Sequence, residues 1–298
     1  MANKTVLLIT GGNTGLGLEI IRALLKGSHP YHIFLGSRSL EKAGEAVATA
    51  QKETPNTTCD ITSVQVDLTD DASISKAFEH VDSKVDHIDV LVNNGGANFD
   101  NQINSGKMDV RAGWNATWDL NVTGTHIMTN TFMPLLIKSA KPRLIFMTSG
   151  TSSLEEAALG FPPTTSKPPA GWPKPHDPFS IMSYRSSKAA LNMLMLEWTR
   201  ILQKDNVKLW SVAPGFLATG LGGVGKEVLL KVGALDPEIG ANFVKDIIEG
   251  KRDDDSGKVI RNMPGKPIQP CAHKYIVKLG NIVQDRGSGF ADDKQQNI

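Results

Sequence analysis

Two cysteines, three tyrosines and no surplus of either charge are what the 298-residue sequence has least of. Cys59 and Cys271 are too few for a disulfide framework or a four-ligand zinc site, so both are expected as inert thiols of a reducing compartment, and no metal is expected. Lys and Arg number 32 against 31 Asp and Glu, leaving a formal charge of +1. That provides no basic field for nucleic acid or an anionic membrane, and neither partner is expected. No segment reaches the ~18 apolar residues of a membrane span. Met1–Lys4 runs straight into Val6–Ile9 without the apolar region and cleavage site of a secretory signal, so the expected location is the cytoplasm.

What is abundant is the pattern of a globular core: apolar residues make up 40% of the chain and glycine 28 positions. Short apolar runs alternate with longer stretches of helical period, as repeated βα units feeding a parallel sheet would. Expected strands are Thr5–Thr10, Tyr31–Gly36, Ser63–Asp67, Asp89–Asn93, Arg143–Thr148, Val207–Ala213 and Gly257–Ile260. The predicted fold is α/β: a single-domain, doubly wound, Rossmann-type parallel sheet of about seven strands with helices on both faces, over residues 1–265. Seven of the 16 prolines fall between Phe161 and Pro178, which forbids regular helix or central strand there and marks an inserted loop at 150–180. Residues 266–298 are expected as a C-terminal extension or tail, loosely held over 281–298.

Strand Val6–Thr10 enters Gly11-Gly12-Asn13-Thr14-Gly15-Leu16-Gly17, and a helical pattern follows from Leu18. Strand, glycine turn and helix in that order suit a dinucleotide pyrophosphate, because glycines let the backbone approach it and the free N–H groups of the helix hold it. Gly220–Gly225 also spells G-x-G-x-x-G but follows no strand directly and is set aside. The second strand ends in Gly36-Ser37-Arg38-Ser39, where an NAD-preferring site would place a carboxylate on the ribose 2′-hydroxyl. The forked donors of Arg38 suit a 2′-phosphate instead, so the expected cofactor is NADP(H).

Of the three tyrosines, only Tyr184 has a lysine one helical turn later, Lys188. An ammonium beside a phenol favours the phenolate, and the expectation is a Tyr184 pKa drawn down from ~10 into the range of acid–base work.

With these motifs in order, residues 4–262 resemble the short-chain dehydrogenase/reductase family. Thr10–Gly17 matches T-G-x-x-x-G-x-G, Asn93-Asn94-Gly95-Gly96 matches N-N-A-G with Gly95 in place of alanine, and Tyr184…Lys188 matches the Tyr/Lys pair. The resemblance implies adenine contacts from Asp67 and Leu68, ribose contacts from Asn94 and Gly95, and nicotinamide-side contacts from Pro214, Gly215, Leu217 and Thr219. It implies a carbonyl-orienting hydroxyl at Ser149, with Ser152 and Ser153 as rivals, since 35 residues separate Ser149 from Tyr184. Asn121 would kink a helix and anchor a proton relay, and Lys188 and Tyr184 would also touch the cofactor.

The expected activity is NADP(H)-dependent interconversion of a ketone and a secondary alcohol. The alternatives are C=C reduction, or an NADP-binding sensor or scaffold without chemistry. Apolar surplus on a helix over Ser183–Leu202 predicts a homodimer or homotetramer. Phe161, Trp172 and Phe179 in the inserted loop, opposite Gly220–Gly225, predict a lid over a bulky apolar or aromatic substrate.

Overall fold

The computed structural model describes residues 4–160, 168–177 and 180–262. Its strands are β1 Thr5–Thr10, β2 Tyr31–Ser37, β3 Asp60–Gln65, β4 Val90–Asn93, β5 Arg143–Met147, β6 Lys208–Ala213 and β7 Lys258–Arg261. All pair in parallel in the order β3-β2-β1-β4-β5-β6-β7. The helices are α1 Gly15–Leu25, α2 Leu40–Glu53, α3 Asp71–Asp82, α4 Asp100–Asn104, α5 Val110–Trp118, α6 Thr125–Leu136, α7 Leu154–Ala158, α8 Met182–Ile201, α9 Lys226–Lys231 and α10 Pro237–Ile248. No helix among the described residues is long and apolar enough to cross a membrane.

Strand side chains alternate between the two faces of the sheet, so one apolar run serves two cores. Leu7, Ile9, Ile33, Leu35, Val90 and Val92 pack with residues of α1, α2 and α10. Val6, Leu8, Phe34, Leu91, Leu144 and Phe146 pack on the other face with residues of α3, α6 and α8. Strand order reverses between β1 and β4, opening a crevice outside their C-terminal ends, where doubly wound sheets bind ligands. The glycine turn after β1 and Asn94–Gly96 after β4 flank that crevice.

The expected α/β sheet is present: β1 has the expected range, and five other strand ranges differ from expectation by a single residue at one or both ends. The third lies earlier, at Asp60–Gln65 instead of Ser63–Asp67, because pairing with β2 from His32 to Ser37 fixes its register. It is an edge strand whose Asp60 and Gln65 are exposed, so the apolar pattern appears only at its end. The long helix begins at Met182, not Ser183, and ends at Ile201. Among the described residues of the inserted loop, 150–160 hold a 3-10 turn, Gly150–Ser152, and the short helix α7, while 168–177 have neither helix nor strand. Cys59 is buried and unbridged. Phe161, Phe179, Cys271 and the expected tail lie outside the described residues.

Candidate active site

At the phosphate entrance, Gly11 and Gly15 both hold positive φ, 63° and 53°, which glycine adopts without strain. A Cβ on Gly17 would collide with the Gly11 carbonyl, so the helix can begin only where it does if position 17 is glycine. Thr14 precedes α1 without a side-chain cap, leaving first-turn amides aimed into the crevice, as an anion site requires. Asn94 Nδ2 donates to the Thr10 and Gly11 carbonyls at 2.9 and 3.2 Å, and Gly95 N–H donates to Thr10 Oγ1 at 2.8 Å. Gly95 has a packing reason as well, since a Cβ there would stand 2.9 Å from Leu68 Cδ1. Leu68 thus occupies the space that alanine would fill, and Asp67 Oδ1 holds the turn beneath it by accepting from Thr69 N–H and Oγ1.

Ser37 ends β2 buried, and its Oγ accepts from Ser39 N–H. Arg38 is exposed and forms no ion pair among the described residues, which leaves its guanidinium available to an anion. Lys42, which sequence reading missed, lines a cavity of about 290 Å³ with Asn13 and Thr14, and its spacing of four from Arg38 was the available signal. Across the entrance Gly215 (φ 110°) turns the chain after β6. A parallel bridge between Leu217 and Leu235 fixes the segment after Pro214, and a Cβ on Gly15 would stand 3.6 Å from Thr219 Cβ.

Tyr184 and Lys188 lie on adjacent turns of α8, both buried, with the Lys188 ammonium 5.7 Å from the Tyr184 ring centre. Lys188 Nζ donates to the carbonyl of Met147 at the end of β5, 2.8 Å away, which keeps two donors for other partners. Burial lowers its pKa to about 8. The expected depression of the Tyr184 pKa is corrected here: burial raises it to about 12, opposed by the Ser149 hydroxyl beside it. Desolvation of the phenolate outweighs the hydrogen bond from Ser149, because burial strips water from the charged form.

All three candidate serines bond within the chain, Ser149 Oγ capping its own short turn by accepting from Thr151 N–H at 3.2 Å, and they differ in what they stand beside. Ser152 Oγ donates to the Ser149 carbonyl at 2.6 Å and accepts from Asn192 Nδ2 at 2.9 Å. Ser153 caps α7 by accepting from Glu156 N–H. Ser149 opens the turn after β5, where its Oγ meets Thr151 Oγ1 at 2.9 Å, and it stands next to Tyr184.

Asn121 is fully buried in a π-helical turn, Asp119–Gly124, between α5 and α6. Such bulges insert one residue and bend the helix. Its Oδ1 accepts from Ala97 N–H, and its Nδ2 donates to the Ala97 carbonyl and to Ser187 Oγ. Both amide hydrogens are therefore used within the protein. A Cβ on Gly96 would stand 3.1 Å from Asn121 Oδ1 and 3.3 Å from Lys188 Nζ, so Gly96, Asn121 and Lys188 meet at one point. Trp172 of the inserted loop is 87% exposed. Gly222 of the 220–225 segment is tied down by Asn101 Nδ2, which donates to its carbonyl at 2.6 Å.

The residues named after β1, β2, β4, β5 and β6 thus gather along one edge of the sheet, and comparison with known proteins gives this arrangement a family. The short chain dehydrogenase model matches residues 5–167. The short-chain dehydrogenase/reductase tropE of Talaromyces stipitatus is 44% identical over 260 residues, covering 87% of this chain and 96% of that protein. The short-chain dehydrogenase/reductase eupG of a Phoma species is 43% identical over 273 residues, covering 89% and 98%. Among solved structures, the NADPH-bound carbonyl reductase from chicken fatty liver superposes with a TM-score of 0.67 at 24% identity, covering 87% of this chain and 97% of that one. The chain belongs to the short-chain dehydrogenase family of oxidoreductase enzymes.

Proposed function

We propose that the enzyme reduces a ketone on a bulky apolar or aromatic small molecule to a secondary alcohol with NADPH, and runs the reverse reaction with NADP⁺. The observation that carries this reading is the buried Tyr184 with Ser149 at its hydroxyl and Lys188 one turn away. Fit to the cofactor is supported by the cradle at Gly11, Gly15, Leu16 and Gly17, the uncapped start of α1 and the unpaired Arg38 beside Ser37. NADPH bound in the chicken carbonyl reductase agrees with that choice. Asp67, Leu68, Asn94 and Gly95 would hold the adenosine, and Pro214, Gly215, Leu217 and Thr219 the nicotinamide side. When bound, NADPH supplies the hydride.

Ser149 Oγ donates a hydrogen bond to the substrate carbonyl oxygen and fixes its direction. Tyr184 then gives its phenolic proton to that oxygen as negative charge develops there. The raised pKa suits this direction, because the phenol stays protonated well above neutral pH. Lys188 offers ribose hydroxyls the two ammonium donors that Met147 leaves free, and its positive charge stabilises the phenolate left behind. Asn121 holds Ala97 in the segment after β4 and, through Ser187, the turn of α8 between these two groups.

The substrate class rests on the apolar surface around the crevice, where Phe216, Leu221 and Met182 are all more than 40% exposed. Trp172, exposed in the described segment 168–177, would add aromatic surface for a large ring system. The assay is a panel of steroid, polycyclic, aliphatic and sugar ketones with NADPH, followed at the cofactor's absorbance. Turnover of large aromatic or polycyclic ketones is the expected result, and turnover restricted to small sugars would reject the substrate class. The oxidation of NADPH with C=C acceptors alone would reject ketone reduction.

A further inference from the structure

Asp100 belongs to none of the motifs above, yet it is one of the few buried carboxylates, 3% exposed on the short helix α4. Helix α8 begins without a cap of its own, since Ile181 precedes it and makes no side-chain bond. Its first-turn amides need acceptors from elsewhere. Asp100 Oδ1 accepts from Ser183 N–H at 3.0 Å and Oδ2 accepts from Tyr184 N–H at 2.9 Å. A carboxylate bridging two amides at the positive end of a helix makes charge-assisted bonds in a site that water does not reach.

The neighbours of Asp100 make this a fixed mount. Asn98 Oδ1 accepts from Asp100 N–H, and Asn104 Nδ2 donates to the Ser180 carbonyl just before α8. Ser183, the other residue held, meets Thr117 Oγ1 through its own hydroxyl at 3.2 Å. The next residue of α4, Asn101, holds the Gly222 carbonyl. One five-residue helix therefore grips both the start of the helix carrying the phenol and the wall across the crevice.

We propose that Asp100 is a positioning residue for the reaction: by holding the main-chain N–H of Tyr184 and of the residue before it, its carboxylate fixes where the phenol stands against Ser149 and Lys188. The proposal rests on the reading of Tyr184 as the proton donor. The phenol hangs from this anchored backbone at the far end of its side chain, so a small tilt of the first turn is magnified at the hydroxyl. A misplacement of roughly 1 Å at a reacting group can cost about 100-fold in rate. The nucleotide cradle on α1 and β2 does not depend on this anchor.

The test compares Asp100→Ala, Asp100→Asn and Tyr184→Phe in the NADPH-saturated enzyme. Alanine removes both acceptors, and asparagine keeps the shape but sets an N–H₂ against one amide. The expected result is a fall in kcat of about 100-fold for Asp100→Ala and about 10-fold for Asp100→Asn. KM for the ketone, and the affinity and stoichiometry of NADPH binding, should stay within about twofold. The solvent deuterium isotope effect on kcat should grow as proton delivery becomes limiting. If Tyr184→Phe keeps its turnover, the proton-donor reading itself has failed. If Tyr184→Phe is inactive while both Asp100 variants keep kcat within threefold, the positioning role is overturned. It is overturned too if kcat falls only in step with the fraction of chains that bind NADPH, since that would be loss of folded protein. Should Asp100→Ala not fold, Asp100→Asn carries the kinetic comparison, and in the wild-type holoenzyme the Ser183 and Tyr184 amides should exchange as slowly as the interior of α8. Fast exchange there would contradict the mount.

Discussion

Replacing Ser149 with alanine separates a catalytic hydroxyl from a structural one more cleanly than any other change at this site. In the fold, Ser149 Oγ accepts from Thr151 N–H at 3.2 Å and meets Thr151 Oγ1 at 2.9 Å. These are bonds of a partly exposed turn that water can replace, so their loss should cost about 0.5–1.5 kcal/mol of stability. In the reaction, the same hydroxyl supplies a hydrogen bond to an oxygen that gains charge. Loss of one such donor typically costs about 10²–10³ in kcat, or roughly 2.7–4 kcal/mol of transition-state stabilisation. Ser149→Ala should therefore lose most of its turnover while its Tm moves little. Ser152→Ala should do the opposite. It strands Asn192 Nδ2, which donates to Ser152 Oγ at 2.9 Å in a buried setting, at about 1–3 kcal/mol, with kcat kept within an order of magnitude. Steady-state kinetics at saturating NADPH and calorimetric Tm values on both variants decide the matter. A Ser149→Ala enzyme with kcat within threefold of wild type, or a Ser152→Ala enzyme that alone loses activity, would refute the assignment.

Arg38→Asp should weaken NADPH by about 10- to 100-fold, the worth of a charge-assisted bond of about 1.5–3 kcal/mol, and shift preference towards NADH; kinetic constants for both cofactors measure it, and equal use of NADH by the wild type would contradict it. In ketone reduction, kcat/KM should be level below pH 8 and fall above it, because the folded Lys188 loses its proton near pH 8 instead of 10.5, while Tyr184, raised to about 12, remains a donor throughout. An alkaline limb that begins only near pH 10 would show that burial does not set the lysine's charge. Met193 and Ile201 remain exposed on α8 at 61% and 53%, and pairing through this face should give a dimer or tetramer mass in light scattering, which Met193→Glu should reduce to monomer; a monomeric wild type at micromolar concentration would reject it.

The parallel sheet was legible because both of its faces are buried, so strands such as Val6–Ile9 appear as unbroken apolar runs and alternate with helical periods. Edge strand β3 was read too late in the chain, since its register comes from main-chain pairing with β2 and leaves little apolar signal. The glycine turn could be recognised because positive φ and close approach restrict those positions to one residue type. Part of the apolar surplus on α8 is spent inside the chain, because Leu191 and Trp198 are buried in its own core and Leu194 and Leu196 pack against it. Tyr184 and Lys188 could be paired from their spacing, but the direction of the tyrosine's acidity could not, as desolvation is a property of the packed site. Asp100 was invisible for a related reason. Its partners lie 83 and 84 positions away, and nothing local in the sequence distinguishes it from any other aspartate near a turn.

The central claim is that Tyr184 delivers the proton to a ketone reduced by NADPH, and Tyr184→Phe tests it by removing one hydroxyl from an otherwise unchanged ring. Single-turnover reduction of a ketone substrate, measured beside NADPH titration of the same preparation, separates chemistry from cofactor binding. The account predicts that the variant binds NADPH as the wild type does while its rate of NADPH oxidation falls by at least about 10²-fold, the usual contribution of a positioned acid. A Tyr184→Phe enzyme that oxidises NADPH with the ketone at close to the wild-type rate would contradict it.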